Sequence, residues 1–184
     1  MNNKEMVTEL LAKARAAQTI FESYTQTQVD EIVAEISYAG YSNAEPLAKL
    51  AYKHSGLGNY EDKITKVRRK TMGTMMDLKG AKSVGVIEVD EARGLTTIAK
   101  PMGVIAAILP STNPAATAVN NVMITLKGRN AVILAPHPKG EPACAKVVRL
   151  SQDILQKLGA PVEMVQYLSL KAENKAAGKA RAAE

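Results

Sequence analysis

The chain has 184 residues and a mass of 19.7 kDa, and 46% apolar with 23% charged residues is typical of a globular protein rather than a disordered or fibrous one. One cysteine and two histidines exclude an internal disulfide and argue against a metal site, and no apolar run is long enough to cross a membrane, so we expect a cytoplasmic protein without a membrane partner. The net charge of +6 is diffuse and tryptophan is absent, so we expect no nucleic-acid partner.

Residues 1–80 are predicted to form an amino-terminal layer of helices. Apolar residues at helical spacing carry the first helix to about Phe21. Thr27 is predicted to cap the second helix and Gly40 to end it, because these residue types are common at helix starts and stops. A third helix fits 43–54.

A fourth helix is predicted to begin near Tyr60, where two acidic residues suit the helix dipole. It carries the densest cationic run of the chain, residues 66–70, which we interpret as a solvated helix face or, alternatively, a surface for an anionic partner. The methionines at 72, 75 and 76 have helical spacing and are interpreted as core residues.

Residues 81–100 are predicted to form a β-hairpin that connects the helical layer to the carboxyl-terminal half of the chain. Ser83 to Val89 and Leu95 to Lys100 have strand composition, and the turn between them runs from Asp90 to Gly94.

Residues 101–168 are predicted to form a partial dinucleotide-binding βαβαβ unit. The apolar runs 103–109 and 131–135 are typical of strands buried on both faces of a parallel sheet, and a helix from Pro114 with Gly128 as its stop joins them. A further helix comes next, and 162–168 is a possible third strand. We therefore predict an α/β fold: a helical layer plus an incomplete doubly wound, Rossmann-like sheet, with the first two strands adjacent and parallel.

Residues 169–184 are rich in alanine and lysine and poor in large apolar side chains. A solvated helix and a flexible tail both suit this composition, and neither would bury much surface.

Two loops follow the carboxyl ends of the predicted parallel strands, where ligands bind in open sheets. The first is Pro110–Pro114 and the second is Pro136–Lys139. The simplest interpretation of Ser111, Thr112 and Asn113 is capping of the next helix. His137 suits either a surface position or a ligand contact, and no glycine-rich phosphate-binding motif occurs in the sequence.

Cys144 is the only candidate thiol nucleophile. It shares the apolar face of a predicted helix with Val147 and Val148, so a structural role is the better interpretation.

Four segments together resemble the aldehyde dehydrogenase superfamily, and their sequences are most similar to those of its CoA-acylating branch. The segments are Pro-Met-Gly-Val-Ile-Ala-Ala-Ile-Leu-Pro-Ser-Thr-Asn-Pro-Ala-Ala-Thr (101–117), Leu-Lys-Gly-Arg-Asn-Ala-Val-Ile-Leu-Ala-Pro-His-Pro (126–138), Ser-Gly-Leu-Gly-Asn-Tyr-Glu-Asp-Lys (55–63) and Leu-Gly-Ala-Pro (158–161). The resemblance extends over residues 5–168 in order and spacing.

The resemblance implies NAD- or NADP-dependent oxidation of a small aldehyde to an acyl-CoA, with coenzyme A as co-substrate. Because a sheet of about three strands would have an unpaired edge or an uncovered face, we also expect a homo-oligomer or residual partner binding. The resemblance implies that a cysteine thiolate attacks the aldehyde while an amide donates a hydrogen bond to the oxyanion. Residue type assigns that donor to Asn113, and an ungapped match assigns it to Thr112. The residues it places beside the cofactor are Leu109, Pro110, Ser111, Thr112, Pro136, His137 and Pro138.

Two departures accompany the resemblance. The family's nucleophile lies beyond residue 184, and Cys144 does not occupy its place, so we expect a fragment that is inactive alone. Ala135 and Pro138 stand where the wider superfamily has a lysine and a glutamate, so those two ribose contacts are not expected. The alternative is a non-catalytic assembly or ligand-binding module derived from the same fold.

Overall fold

A computed structural model describes residues 3–169 of the chain. Its first part is a layer of four helices, as the sequence predicts. They are α1 (Asn3–Phe21), α2 (Gln26–Ser42), α3 (Ala44–Ser55) and α4 (Tyr60–Leu78). The structure describes only Ser169 of the alanine- and lysine-rich segment 169–184, and the expectations for the rest lie outside the described residues.

The second helix differs from its prediction at both ends. Thr25, not Thr27, is the N-cap: its side chain accepts from the backbone N–H of Gln28, and the Gln28 side chain accepts from the Thr25 N–H in return. Gly40 does not end the helix but is buried within it. A Cβ there would lie 2.9 Å from Cγ1 of Val119, so glycine lets α2 approach α5 (Pro114–Lys127) closely.

After the helices come a hairpin and a three-stranded sheet. The hairpin pairs β1 (Gly85–Asp90) with β2 (Leu95–Ala99) in antiparallel fashion, as predicted. The sheet has the order β3-β4-β5 and is wholly parallel, which confirms the predicted α/β class. Its elements are β3 (Val104–Leu109), α5, β4 (Ala131–Pro136), α6 (Glu141–Lys157) and β5 (Val165–Tyr167).

The predicted adjacency of the two apolar strands is confirmed residue by residue. Val104 pairs with Ala131 and Leu109 with Pro136, so both strands end at the same level. Helices α5 and α6 make the two crossovers, and α5 ends at Gly128 as predicted. Strand β5 is shorter than predicted because Val162–Met164 forms a 3₁₀ turn first.

The far face of the sheet is covered by α1. Gln166 of β5 donates through Nε2 to the Leu10 carbonyl of α1 at 3.0 Å. Gln166 pairs with Ile133, and Ile133 pairs with Ala106, so these three residues share the α1 face. Buried residues of the helices and the sheet together form one hydrophobic core.

The prediction that the first apolar strand is buried on both faces is wrong. Ala106 and Ile108 of β3 are exposed, and Ile108 is 86% exposed. Strand β3 lies at the sheet edge, and among residues 3–169 no element covers the end of its α1 face. Strand β4, between two neighbours, has four buried residues and two that are half-buried.

The core assignment of the methionines is also wrong for two of the three. Met72 and Met76 are 44% and 61% exposed, and only Met75 packs against the core. Helix α4 buries Ile64, Val67 and Thr71, and Met75 continues this stripe, so Met72 and Met76 lie on a neighbouring, exposed face of the helix. No helix among the described residues is long and apolar enough to cross a membrane.

Candidate functional site

Two loops lie side by side at the carboxyl edge of the sheet. The first, residues 110–113, follows β3, and the second, residues 137–140, follows β4. The backbone N–H of His137 donates to the Leu109 carbonyl at 3.0 Å, which extends the β3–β4 ladder into the second loop. The structure thus brings together the two segments that the sequence singles out.

Close packing holds the two loops together. Gly140 is buried, and a Cβ built on it would lie 2.6 Å from Cβ of Pro114 and 3.6 Å from the Pro110 carbonyl oxygen. Any side chain at position 140 would therefore push the second loop away from the first. The glycine sets how close the loops can be.

The first loop does not cap α5 with its side chains, so the capping interpretation is wrong. Asn113 is the N-cap residue, with φ −142° and ψ 54°, and its side chain makes no cap hydrogen bond. By contrast, Thr25 caps α2 with ψ 163°, in the extended conformation that aims a side-chain oxygen at the next turn. Among residues 3–169, no hydrogen bond occupies the side chains of Ser111, Thr112 or Asn113. Their donors are available to a ligand.

A lysine from the helical layer holds the first loop. Nζ of Lys63 on α4 donates to the Thr112 carbonyl at 3.1 Å, across 49 residues of sequence. Lys63 is only 9% exposed, and burial lowers the pKa of its ammonium group, with a further contribution from the nearby Lys66 charge. The helical layer therefore positions the carbonyl of Thr112 directly.

The second loop presents its side chains to solvent. His137, Pro138 and Lys139 are all exposed. Nδ1 of His137 accepts from the Lys139 backbone N–H at 3.2 Å, which closes the short 3₁₀ turn Pro138–Gly140. The imidazole face and the prolyl ring remain accessible to a flat ligand group.

Cys144 has no part in this edge. It is fully buried on α6, and burial raises the pKa of its thiol to about 12, with a smaller contribution from Glu141. A thiol that stays protonated at neutral pH is a poor nucleophile, so the structural interpretation of Cys144 is favoured. Among the described residues, no group of three or more His, Cys, Asp or Glu side chains could hold a metal ion.

The sequence pattern did not predict a role for Lys63 at this site. Lys63 stands in the segment 55–63, but its side chain reaches a loop that begins nearly fifty positions later. A cation beside a buried helix face is a weak signal, because most such lysines lie at the surface. Only the tertiary packing of α4 against α5 reveals the contact.

The chain is similar to known proteins over most of its length. The model of the "Aldehyde dehydrogenase family" matches residues 1–181. The succinate-semialdehyde dehydrogenase (acetylating) of Clostridium kluyveri is 42% identical over 168 residues, which are 91% of this chain and 37% of that protein. The sulfoacetaldehyde dehydrogenase (acylating) of Bilophila wadsworthia is 44% identical over 164 residues, 88% of this chain and 35% of that protein.

Solved structures show the same likeness. An acetylating aldehyde dehydrogenase from Geobacillus thermoglucosidasius superposes with a TM-score of 0.88 at 34% identity, covering 92% of this chain and 38% of that one. The propionaldehyde dehydrogenase of Rhodopseudomonas palustris with bound propionyl-CoA gives a TM-score of 0.75 at 30% identity, with 92% and 38% covered. The chain thus spans little more than a third of the length of these relatives.

Proposed function

This chain belongs to the aldehyde dehydrogenase family, and we propose that it carries the oxyanion side and one wall of the cofactor site of a CoA-acylating, NAD(P)-dependent aldehyde dehydrogenase. One observation carries the proposal. The side chains of residues 111–113 are not used for capping, and they lie at the sheet edge next to the exposed loop that follows β4. The relatives that match most of this chain are acylating enzymes, which supports the same reaction class.

The residues present fit one side of a dinucleotide. The hydroxyls of Ser111 and Thr112 can donate to a nicotinamide ribose or amide, and His137 with Pro138 offers flat surfaces to the adenosine half. The loops contain no glycine-rich phosphate cradle, so this edge alone would hold NAD or NADP weakly. When bound, the nicotinamide would accept the hydride of the aldehyde.

In the proposed reaction Asn113 donates from its side-chain amide to the aldehyde oxygen as that oxygen gains negative charge. Such a donor, fixed before the reaction, stabilises the transition state more than the ground state. Lys63 keeps the loop in place through the Thr112 carbonyl, so it acts as a positioning residue. Thr112 is the alternative donor, through its hydroxyl.

The thiolate of the proposed reaction is not Cys144. That thiol is the only one in the sequence, lies in the core and has a pKa of about 12. We expect the 184-residue chain alone to show no CoA-dependent aldehyde oxidation, because loss of the nucleophile removes the covalent step.

A chimera tests this function. Residues 3–169 would replace the matching segment of the Clostridium kluyveri relative, and CoA-dependent reduction of NAD⁺ or NADP⁺ would be measured with succinate semialdehyde. We expect turnover, and Asn113→Ala should lower kcat by about 10²- to 10³-fold, as loss of one oxyanion donor does elsewhere. Thr112→Ala is the matched control. A larger loss with Thr112→Ala would move the donor to that residue, and a folded but inactive chimera would contradict the proposal.

Self-association is the second part of the proposal, and it also bears on a non-catalytic assembly role. One face of the hairpin exposes three large apolar side chains, each more than half exposed: Val86, Val89 and Ile98. An apolar patch on a two-stranded ribbon is typical of a surface that another chain covers. Light scattering should show a homo-oligomer, and a monodisperse monomer at micromolar concentration would contradict this part.

A further inference from the structure

A cleft of about 320 Å³ opens between the turn before α4, the start of α4 and the loop after β3. Thr112, Lys63 and Lys66 are among the residues that line it. Gly58 lies over the Lys63 side chain in the left-handed conformation, with φ +75°. The loop that we propose for the aldehyde carbonyl therefore shares a cavity with two lysines.

The two ammonium groups are close enough to affect each other. Burial and, to a smaller extent, the charge of Lys66 lower the pKa of Lys63. Lys63 uses one of its three donors on the Thr112 carbonyl, so further donors are available to a ligand. An anion in the cleft would relieve the repulsion between the two charges.

One cation of this helix, Arg68, is paired with Glu45 at 3.0 Å, but others are not neutralised by a neighbour. Within residues 3–169, no ion pair engages Lys66, Arg69 or Lys70, and Asp62, one turn before Lys66, forms none either. Asp62 and Lys66 also line a second cavity of about 430 Å³ that continues along α4 past Arg69 and Lys70. The two cavities together present four cations against the carboxylates of Asp62 and Asp77.

We propose that Lys66, with Lys63 behind it, forms the subsite for an anionic group at the far end of the aldehyde substrate. The substrate class is a short aldehyde that carries a carboxylate or a sulfonate. This inference rests on the proposed function, since it takes the carbonyl to bind at residues 111–113. A short aldehyde bound there would extend its other end along Thr112 into the cleft.

A phosphate of coenzyme A or NADP has the same charge chemistry, so the experiment must separate the two sources. The probes are succinamate, which has a carboxamide in place of the aldehyde and a free carboxylate, and butanamide, its neutral counterpart of equal chain length. Neither forms a Schiff base with lysine. Adenosine 3′,5′-bisphosphate is the third probe, for the coenzyme phosphates.

The measurement is a backbone-amide NMR titration of the 184-residue chain at low salt. We expect succinamate to shift the amides of Lys66 and Thr112 and to bind about fivefold more tightly than butanamide, as suits one partly exposed ion pair. Lys66→Gln should abolish that preference and Lys66→Arg should restore it. Lys82→Gln, which removes an exposed lysine outside the cleft, is the matched control and should change nothing.

Equal binding of succinamate and butanamide, or a preference that survives Lys66→Gln, would overturn the subsite. Lys66-dependent binding of the bisphosphate without binding of succinamate would assign the cleft to the coenzyme and overturn it too. The proposed function is tested separately, by a titration with NAD⁺. It would be contradicted if NAD⁺ changed the amide chemical shifts of neither 109–113 nor 137–140. If NAD⁺ moves them and succinamate shows no preference, only the subsite is wrong.

Discussion

Strands β3 and β4 lie side by side with similar apolar sequences, but only β4 is enclosed. Leu134 of β4 is fully buried under the α5–α6 layer, whereas Ile108 of β3 is 86% exposed on the opposite, α1 face of the sheet. Ile108 pairs with Ala135 of β4 and lies on the same face of the sheet. Ala135 is half-buried, so the side chains of this face become exposed from one strand to the next. Two features other than composition cause the difference: β4 has a strand on each side whereas β3 has one, and Leu134 faces the α5–α6 layer whereas Ile108 faces the uncovered end of the α1 side.

The two strands are therefore expected to contribute to different properties, β4 to the stability of the fold and β3 to association with another chain. Residues of β4 hold the described fold together, while the open edge and the open face of β3 offer surface to another chain. Both strands also lead into the candidate site. The loop after β3 carries the free donors, and the loop after β4 is the flat wall beside them.

The largest expected effect is on the buried strand. Leu134→Ala should lower the free energy of unfolding by about 3 kcal/mol, because it leaves a cavity in a closed core. Ile108→Ala should change it by less than about 0.5 kcal/mol, since an exposed side chain loses little. Urea unfolding followed by circular dichroism measures both. Similar losses at the two positions would show that β3 is covered as fully as β4.

The junction between the two loops gives a smaller effect. Gly140→Ala should destabilise the chain by about 1–3 kcal/mol, because the added Cβ would overlap Pro114. Gly73→Ala is the matched control: it lies in α4 with no atom within 4 Å of an added Cβ, and it should stabilise the chain by up to about 1 kcal/mol. If Gly140→Ala were as well tolerated as the control, the loops would not be in close contact.

The open face of β3 should contribute to association. Ile108→Lys should lower the apparent mass in light scattering without lowering the urea midpoint, because it places a charge on exposed apolar surface. Val86→Lys on the hairpin tests the other apolar patch in the same way. An unchanged apparent mass with both variants would remove these two surfaces from the interface.

The effect at Cys144 develops only at alkaline pH, and it reports on the covered side of the sheet. Its thiol has a pKa of about 12 in the folded chain against an ordinary value near 9, so the unfolded chain releases this proton first as pH rises. Stability should therefore fall between about pH 9 and 12, and Cys144→Ala should lessen that fall. Rapid alkylation of the folded chain at pH 8 would contradict the burial of this thiol.

Most of the architecture could be predicted from the sequence, for physical reasons that individual residues illustrate. Strong local signals placed α5 between Pro114 and Gly128 and the parallel pair on either side of it. Gly40 misled because a glycine inside a helix serves close packing as readily as a helix end. Met72 and Met76 misled because their helical spacing places them on one face of α4 but does not show whether that face is buried.

The site was predictable only in its location. Chain topology places residues 110–113 and 137–140 at one edge, but whether Asn113 caps a helix depends on a backbone angle that the sequence does not reveal. The Lys63–Thr112 bond and the cleft beside it depend on tertiary packing between α4 and the loop after β3. The assignment of Asn113 or Thr112 as oxyanion donor stays a prediction.

Whether the two strand ends form a single ligand edge can be tested by an amide NMR titration of the 184-residue chain with NAD⁺. We expect weak binding, in the millimolar range, with shifts concentrated at 109–113 and 137–140 and lost together in Gly140→Ala. Shifts at neither loop, or shifts centred on the exposed hairpin 85–99, would contradict a shared edge.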